Sequence, residues 1–445
     1  MKVEVCTIGG YSEVGKNMTA IKIGEEVIIC DMGFYLPEII RIQEEEIVKT
    51  ELTREQMIKL GAVPDDSIIK EWRSKVKAIV VSHCHLDHIG AIPYLAEAYN
   101  CPVYGTPYSL EVLKTILKDE RVRIKNPIKA MKPNSSVVIS KNLTLELVNV
   151  THSTPQTAFI VIHTPEGAIV YGNDFKLDNH PVAGTKPNYK RLKEIEKKGV
   201  LAFIGDALYS DVDMKTPSEK VAREMLKDVL LGTDNKGNLV IVTTFASQIA
   251  RLKSIVEFGK KMNRKIVFLG RSLHKYTTAA EKVGIINFSK DVEIIGYAAH
   301  IKRKLKEIQK NPGKYLVVCT GNQGEPRAIL TRLALNELPY QFKPGDHIVF
   351  SCRTIPTPEN IANRTLLEAK LKQKKLRLFK DIHCSGHAAR EDHRDLFNLL
   401  KPKNIIPAHG ETSKLTAMAS LAQEMGYKLG KDVFIMGDGQ CIELK

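Results

Sequence analysis

Short apolar runs alternate with segments of helical period along the whole chain, the pattern of an α/β fold. Val3 and Val5 open a strand almost at once, and Lys77-Ala78-Ile79-Val80-Val81 reads as another. The segment that follows carries apolar side chains at 89, 92, 95, 96 and 99, a helical spacing. Further strands are predicted over 143–150, 167–171 and 404–408, with a last one over 433–436. The interval between Asp174 and His409 holds its own series: strand 239–245, helix 247–262, strand 265–269, helix 272–283, then strands 315–319 and 347–351. So long a detour predicts a second α/β domain inserted between two parts of the first. Residues 36–75, with Glu38, Glu44, Glu45, Glu46, Lys49 and Arg54, predict a charged, partly helical surface insertion between two core strands.

Composition narrows the class. The chain has 445 residues, is 43% hydrophobic and contains no apolar run long enough for a membrane-spanning helix. Its first residues lack a signal-peptide pattern. Eight cysteines are scattered without CxxC spacing, which predicts reduced thiols and a cytoplasmic location. The formal net charge of +15 suits a protein that handles a polyanion. A solvated lysine-rich surface gives the same number, and Lys/Glu/Ile-rich usage also fits a thermophile.

Candidate chemistry concentrates in His83-Cys84-His85-Leu86-Asp87-His88, immediately after a predicted strand. Strand alternation puts His83 and His85 on one side, while Asp87 and His88 fall where strand becomes helix. Four good ligands on so tight a turn can feed two adjacent ions. Imidazole and carboxylate suit zinc, with manganese the alternative if carboxylates dominate. More ligands are offered at other strand ends: His152, Asp174 and His409. Asp174 could bridge two ions roughly 3.5–4 Å apart through its two oxygens.

In order and wording these positions resemble the metallo-β-lactamase superfamily. The resemblance implies that His83, His85 and His152 hold one zinc, that Asp87, His88 and His409 hold the other, and that Asp174 bridges them. Asp31 would support the ligands by hydrogen bonds. Interruption of the metal domain after Gly205-Asp206 resembles the β-CASP nucleases. Three motifs are similar to those of the ribonuclease J family within that group: the glycine-rich opening from Gly9 to Met18, Thr320-Gly321-Asn322-Gln323-Gly324-Glu325-Pro326, and His383-Cys384-Ser385-Gly386-His387-Ala388. The compact length resembles archaeal members more than bacterial ones, which carry a further C-terminal domain.

The resemblance implies a metallo-β-lactamase αββα sandwich interrupted by a β-CASP domain, with bounds at 1–208, 209–352 and 353–445. It implies a 5′-to-3′ exoribonuclease on single-stranded RNA, preferring 5′-monophosphate ends and acting in RNA decay and processing. Asp206 and His387 would act in catalysis beside Asp87, His387 by contacting the phosphate or by protonating the leaving oxygen. His383, Ser385 and Gly386 would hold the 5′-phosphate, the last two through backbone N–H groups before a helix. An endoribonuclease and a DNA-repair nuclease of the same architecture are the alternatives, although DNA-directed relatives typically lack the histidine matched by His409. A homodimer is left open, and no membrane partner is expected.

Overall fold

The structure, a computed structural model, describes residues 1–44, 49–355 and 357–444. Glu45 and Glu46 of the charged segment lie outside the described residues. The chain divides into two compact units, one formed by residues 1–179, 185–216 and 386–445, the other by 180–184 and 217–385.

The first unit contains two sheets. β1 (Val3–Gly9), β2 (Met18–Ile23), β3 (Glu26–Cys30), β4 (Val76–Val80), β5 (Val103–Gly105) and β6 (Ile128–Ala130) join the last strand, β19 (Gln440–Leu444), in the order β19-β1-β2-β3-β4-β5-β6. β7 (Ser135–Val138), β8 (Thr144–Asn149), β9 (Ala158–Thr164), β10 (Gly167–Gly172) and β11 (Val200–Asp206) join β18 (Asn404–Ala408) in the order β18-β11-β10-β9-β8-β7. The sheets face each other across one apolar layer: Val5, Ile21 and Val80 from the first meet Leu145, Ile160, Ile169 and Ile204 from the second. The outer face of the second sheet is closed by apolar stripes of helices Tyr189–Glu196, Arg390–Leu400 and Thr412–Glu424 around Phe159, Phe175 and Phe203. These are the stacked layers of a metallo-β-lactamase sandwich.

The second unit is a parallel sheet of β12 (Val240–Thr243), β13 (Lys265–Leu269), β14 (Val292–Ile295), β15 (Tyr315–Cys319), β16 (His347–Phe350) and β17 (Arg377–Phe379), in the order β14-β13-β15-β12-β16-β17. Its inner strands β12, β13 and β15 are nearly continuous apolar runs, as burial on both faces requires. Residues 353–385, placed from sequence with the second part of the metal domain, group with this unit, where β17 pairs in parallel with β16.

Other expectations are corrected. The segment 433–436 is not a strand and makes only isolated bridges, Val433 opposite Ile405 and Leu429; the terminal strand is β19. The helix expected over 89–99 is broken into Leu86–Ile89, Ile92–Leu95 and a 3₁₀ turn at Ala96–Ala98. Segment 36–75 does not lie loosely on the surface. It buries Ile39, Ile42, Met57, Val63 and Ile69, and its Asp66 is buried between Arg54, Arg73 and Tyr99. Finally, not every cysteine is reduced: Cys6 on β1 faces Cys441 on β19 and the two form a disulfide, while the other six are buried thiols.

Candidate metal centre

Every expected ligand stands just past the carboxyl end of a strand of the first unit. β4 delivers His83 to His88, β8 delivers His152, β10 delivers Asp174 and β18 delivers His409. β10, β11 and β18 run parallel in close register, with Gly172 opposite Gly205 and Asp206 opposite Ala408, so their ends converge on one edge. Asp31, Asp174 and His409 have φ of 61°, 53° and 55°, the left-handed region that side-chain-bearing residues seldom occupy. β3, β10 and β18 are thus each followed by a residue of left-handed backbone that belongs to the cluster or contacts it.

The side chains form two groups that share Asp174. His83, His85, His152 and Asp174 present one atom each within 4.8 Å of one another, and so do Asp87, His88, Asp174 and His409. The division runs through the shared carboxylate. Asp174 Oδ2 lies 3.5 Å from His83 Nε2 and 3.6 Å from His152 Nε2. Asp174 Oδ1 lies 3.2 Å from His88 Nε2 and 3.6 Å from His409 Nε2. Asp174 Oδ1 is also buried without a hydrogen-bond partner among the described atoms, an acceptor that a cation would satisfy. Burial pushes His83 down to about 3 and His85 to about 4, and holds His152 well below its usual value. Neutral imidazoles offer the lone pairs that metal binding requires. The donor set therefore fits two divalent ions, and its nitrogen-rich half suits zinc.

A second ring of contacts fixes the ligands. Asp31 accepts Ser82 N–H at 2.8 Å and Ser82 Oγ–H at 2.8 Å, and its Oδ2 lies 2.7 Å from His88 Nδ1, contacts of the kind that orient a ligand. Asn17 was inside the glycine-rich motif but was given no role. Its amide donates to the Asp87 carbonyl at 3.0 Å, and its Oδ1 lies 3.0 Å from His409 Nδ1. An amide side chain at the end of the glycine-rich run was the available signal. His152 Nδ1 donates to the Gly386 carbonyl at 2.8 Å, and a Cβ on Gly386 would stand only 3.0 Å from that ring. Glycine is what lets this backbone approach the ligand.

Asp206 and His387 come together beside the second group. Asp206 Oδ2 accepts His387 Nδ1–H at 2.8 Å, and the His387 and His409 rings stack at 5.6 Å and 8°. Although burial opposes it, Asp206 and Asp174 raise His387 to about 9. Asp206, His387 and His409 themselves form a third possible ligand group.

The expected 5′-phosphate residues are divided: Gly386 belongs to the first unit, His383 and Ser385 to the second. The next helix begins at Arg390, so Ser385 and Gly386 are not in its first turn. Within the second unit, fully buried Arg251 anchors the segment leading to His383. It donates to the Ile382 carbonyl at 3.1 Å and the Ser351 carbonyl at 2.8 Å, and pairs with Glu219 at 2.6 and 2.9 Å. Nothing in the sequence pattern singled out Arg251 among the many basic residues.

Three family models match the chain in order: a beta-lactamase superfamily domain over residues 63–186, a ribonuclease J beta-CASP domain over 237–368, and a Zn-dependent metallo-hydrolase RNA specificity domain over 374–436. Ribonuclease J of Methanocaldococcus jannaschii is 45% identical over 100% of this chain and 99% of its own. Ribonuclease J of Pyrococcus abyssi is 45% identical over 99% of this chain and 97% of its own. A solved structure of a protein of unknown function from Enterococcus faecalis covers 100% of both chains with a TM-score of 0.68 at 17% identity, which shows the shared fold. With its candidate metal ligands, inserted sheet and motifs all in the expected order, the chain belongs to the ribonuclease J family.

Proposed function

We propose that the protein hydrolyses RNA phosphodiesters as a 5′-to-3′ exonuclease that prefers 5′-monophosphate ends, working with two zinc ions in the cytoplasm. The observation that carries this reading is Asp174, whose two oxygens face two separate ligand groups within one largely buried cluster. When bound, paired divalent ions lower the pKa of water and polarise a phosphate.

The protein's own groups do the rest. Asp31, Asn17 and the Gly386 carbonyl hold the rings of His88, His409 and His152, so the ligands need little reorganisation. Asp206 keeps His387 protonated and aimed at the cluster, where it donates a proton to the oxygen that leaves. His383 and Ser385, on the segment tied down by Arg251, together with Gly386, receive the 5′-phosphate. Each cut leaves a new 5′-monophosphate, so the same residues engage the shortened chain again.

The test uses three RNAs that differ only in a 5′-monophosphate, triphosphate or hydroxyl group, with mononucleotide release followed over time. The monophosphate should be consumed fastest, from the 5′ end. Equal rates on all three, or internal fragments as first products, would favour an endonuclease.

A further inference from the structure

The carboxyl ends of β13 and β14, at one edge of the inserted sheet, carry a surface that the metal centre does not use. β13 runs into the helix Arg271–Lys282 and β14 into the helix Ala298–Lys310, and because the strands are parallel both helices open on the same side. Neither has an acidic residue in its first turn. Arg271, His274 and Lys275 begin one, and His300 and Lys302 begin the other. Cations at a helix N-terminus oppose the helix dipole, so helix stability does not account for them.

Tyr297 stands between these two helix starts. It is 68% exposed and is the only aromatic among the exposed large apolar side chains of the described residues. Its ring centre lies 6.3 Å from that of His274 and 6.3 Å from that of His300. Gly296 permits this approach, since a Cβ there would stand 3.1 Å from the His274 side chain. Burial of Ile301, Leu305 and Ile308 fixes the inner face of the second helix, turning His300, Lys302 and Arg303 to solvent. The nearby carboxylates Glu293 and Glu307 are both engaged by Lys304, at 2.7 and 2.6 Å.

An exposed ring flanked by two imidazoles and surrounded by cations suits a single-stranded polyanion with flat bases. Stacking accepts any base, and the cations meet the backbone. We propose that Tyr297, with His274 and His300, stacks a base of single-stranded RNA, while Arg271, Lys302 and Arg303 hold the flanking phosphates. This rests on the reading of the protein as an RNA nuclease and adds a contact that the metal-centre residues do not make. β14 and β17 are five strand spacings apart in the sheet order, about 24 Å. A base on Tyr297 is therefore several nucleotides from one whose phosphate meets His383 and Ser385 beyond β17. Long RNAs reach the platform and dinucleotides do not.

The test compares wild type, Tyr297→Phe, Tyr297→Ala and Arg303→Glu, each as full-length, metal-loaded protein. Anisotropy measures affinity for a long hydrolysis-resistant single-stranded RNA, and turnover is measured on a 5′-monophosphate dinucleotide. Tyr297→Ala should weaken long-RNA binding by about tenfold, within the range of one lost base stack. Arg303→Glu should weaken it too, Tyr297→Phe should keep it, and dinucleotide turnover should stay constant in all four. Wild-type affinity in Tyr297→Ala would overturn the platform while leaving the nuclease reading intact. So would an equal fall in dinucleotide turnover, or altered self-association with unchanged RNA affinity, which would assign the patch to a protein partner. Absence of RNA binding and turnover in the wild type would defeat the nuclease reading itself, and the platform with it.

Discussion

Asp174 is the residue on which the two halves of the centre depend. Its left-handed backbone is uncommon for a residue with a side chain, and its carboxylate is buried with one oxygen lacking a hydrogen bond. Both costs are understandable if the side chain bridges two cations. In Asp174→Asn, metal content measured by elemental analysis should fall from two ions per chain to one or none, with far-UV circular dichroism unchanged. Two ions retained in the variant would remove the bridging role. His387 stands differently, because its ring is already hydrogen-bonded to Asp206 and stacked on His409. His387→Ala should keep both ions yet lower single-turnover rates on the order of 10²–10⁴-fold, the range for a lost general acid. Loss of metal in that variant would instead make His387 a ligand, through the group it forms with Asp206 and His409.

At the scale of elements, the sequence was most legible where a run of buried strand residues ended in a chemically distinctive one. β4, β8, β10 and β18 all follow that rule, and so the residues that cluster at their ends were readable. It was least legible where short strands lack an apolar run. β17 is the three-residue segment Arg377–Phe379 after a lysine-rich stretch, so its place in the inserted sheet was hidden. β19 reads Gln-Cys-Ile-Glu-Leu, and the more apolar 433–436 just before it drew the strand assignment. Pairing with β1 along five residues decided the matter, and it brought Cys6 opposite Cys441. Intracellular disulfides are a feature of hyperthermophile proteins, so this bond does not contradict a cytoplasmic reading. Reduction, or Cys441→Ser, should lower the stability of the first unit by about 2–4 kcal/mol, seen as a drop in Tm. Eight titratable thiols in the unfolded, unreduced protein would show the bond to be absent.

A second element-scale device ties β8 and β9 to the helix Tyr189–Glu196. Glu146 accepts from Arg191 at 2.7 and 3.0 Å and from His163 at 2.6 Å. Burial opposes its ionisation, but these partners outweigh it and bring Glu146 from 4.5 down to about 2. A carboxylate whose folded pKa is depressed binds its proton less readily when folded. Its contribution is therefore full above about pH 4.5 and disappears as pH falls through about 2. The amount is on the order of 2–3 kcal/mol. In Glu146→Gln, stability near neutral pH should fall by that order, and denaturant midpoints should vary less with pH across this window. An unchanged slope there would show that the cluster is not the source.

Over the whole molecule, the metal centre does not supply the core. Apolar layers on both faces of the second sheet, and a separate core in the inserted unit, form from residues that bind no ion. That division leaves the excess positive charge free to serve binding. With +15 overall, the protein attracts RNA before any specific contact forms, and each phosphate it neutralises releases counterions. For single strands each such contact adds about −0.7 to the slope of log affinity against log salt. If Arg271, Lys302 and Arg303 meet phosphates, Arg303→Glu should make the slope for long RNA shallower by at least about 0.7. Tyr297→Ala should weaken binding at every salt concentration and leave the slope alone, because stacking releases few ions. Titrations of the three proteins across a salt series separate these terms. A slope unaltered in Arg303→Glu would place the phosphate contacts elsewhere on the basic surface, with the helix carrying Lys370 and Lys372 as the next segment to test.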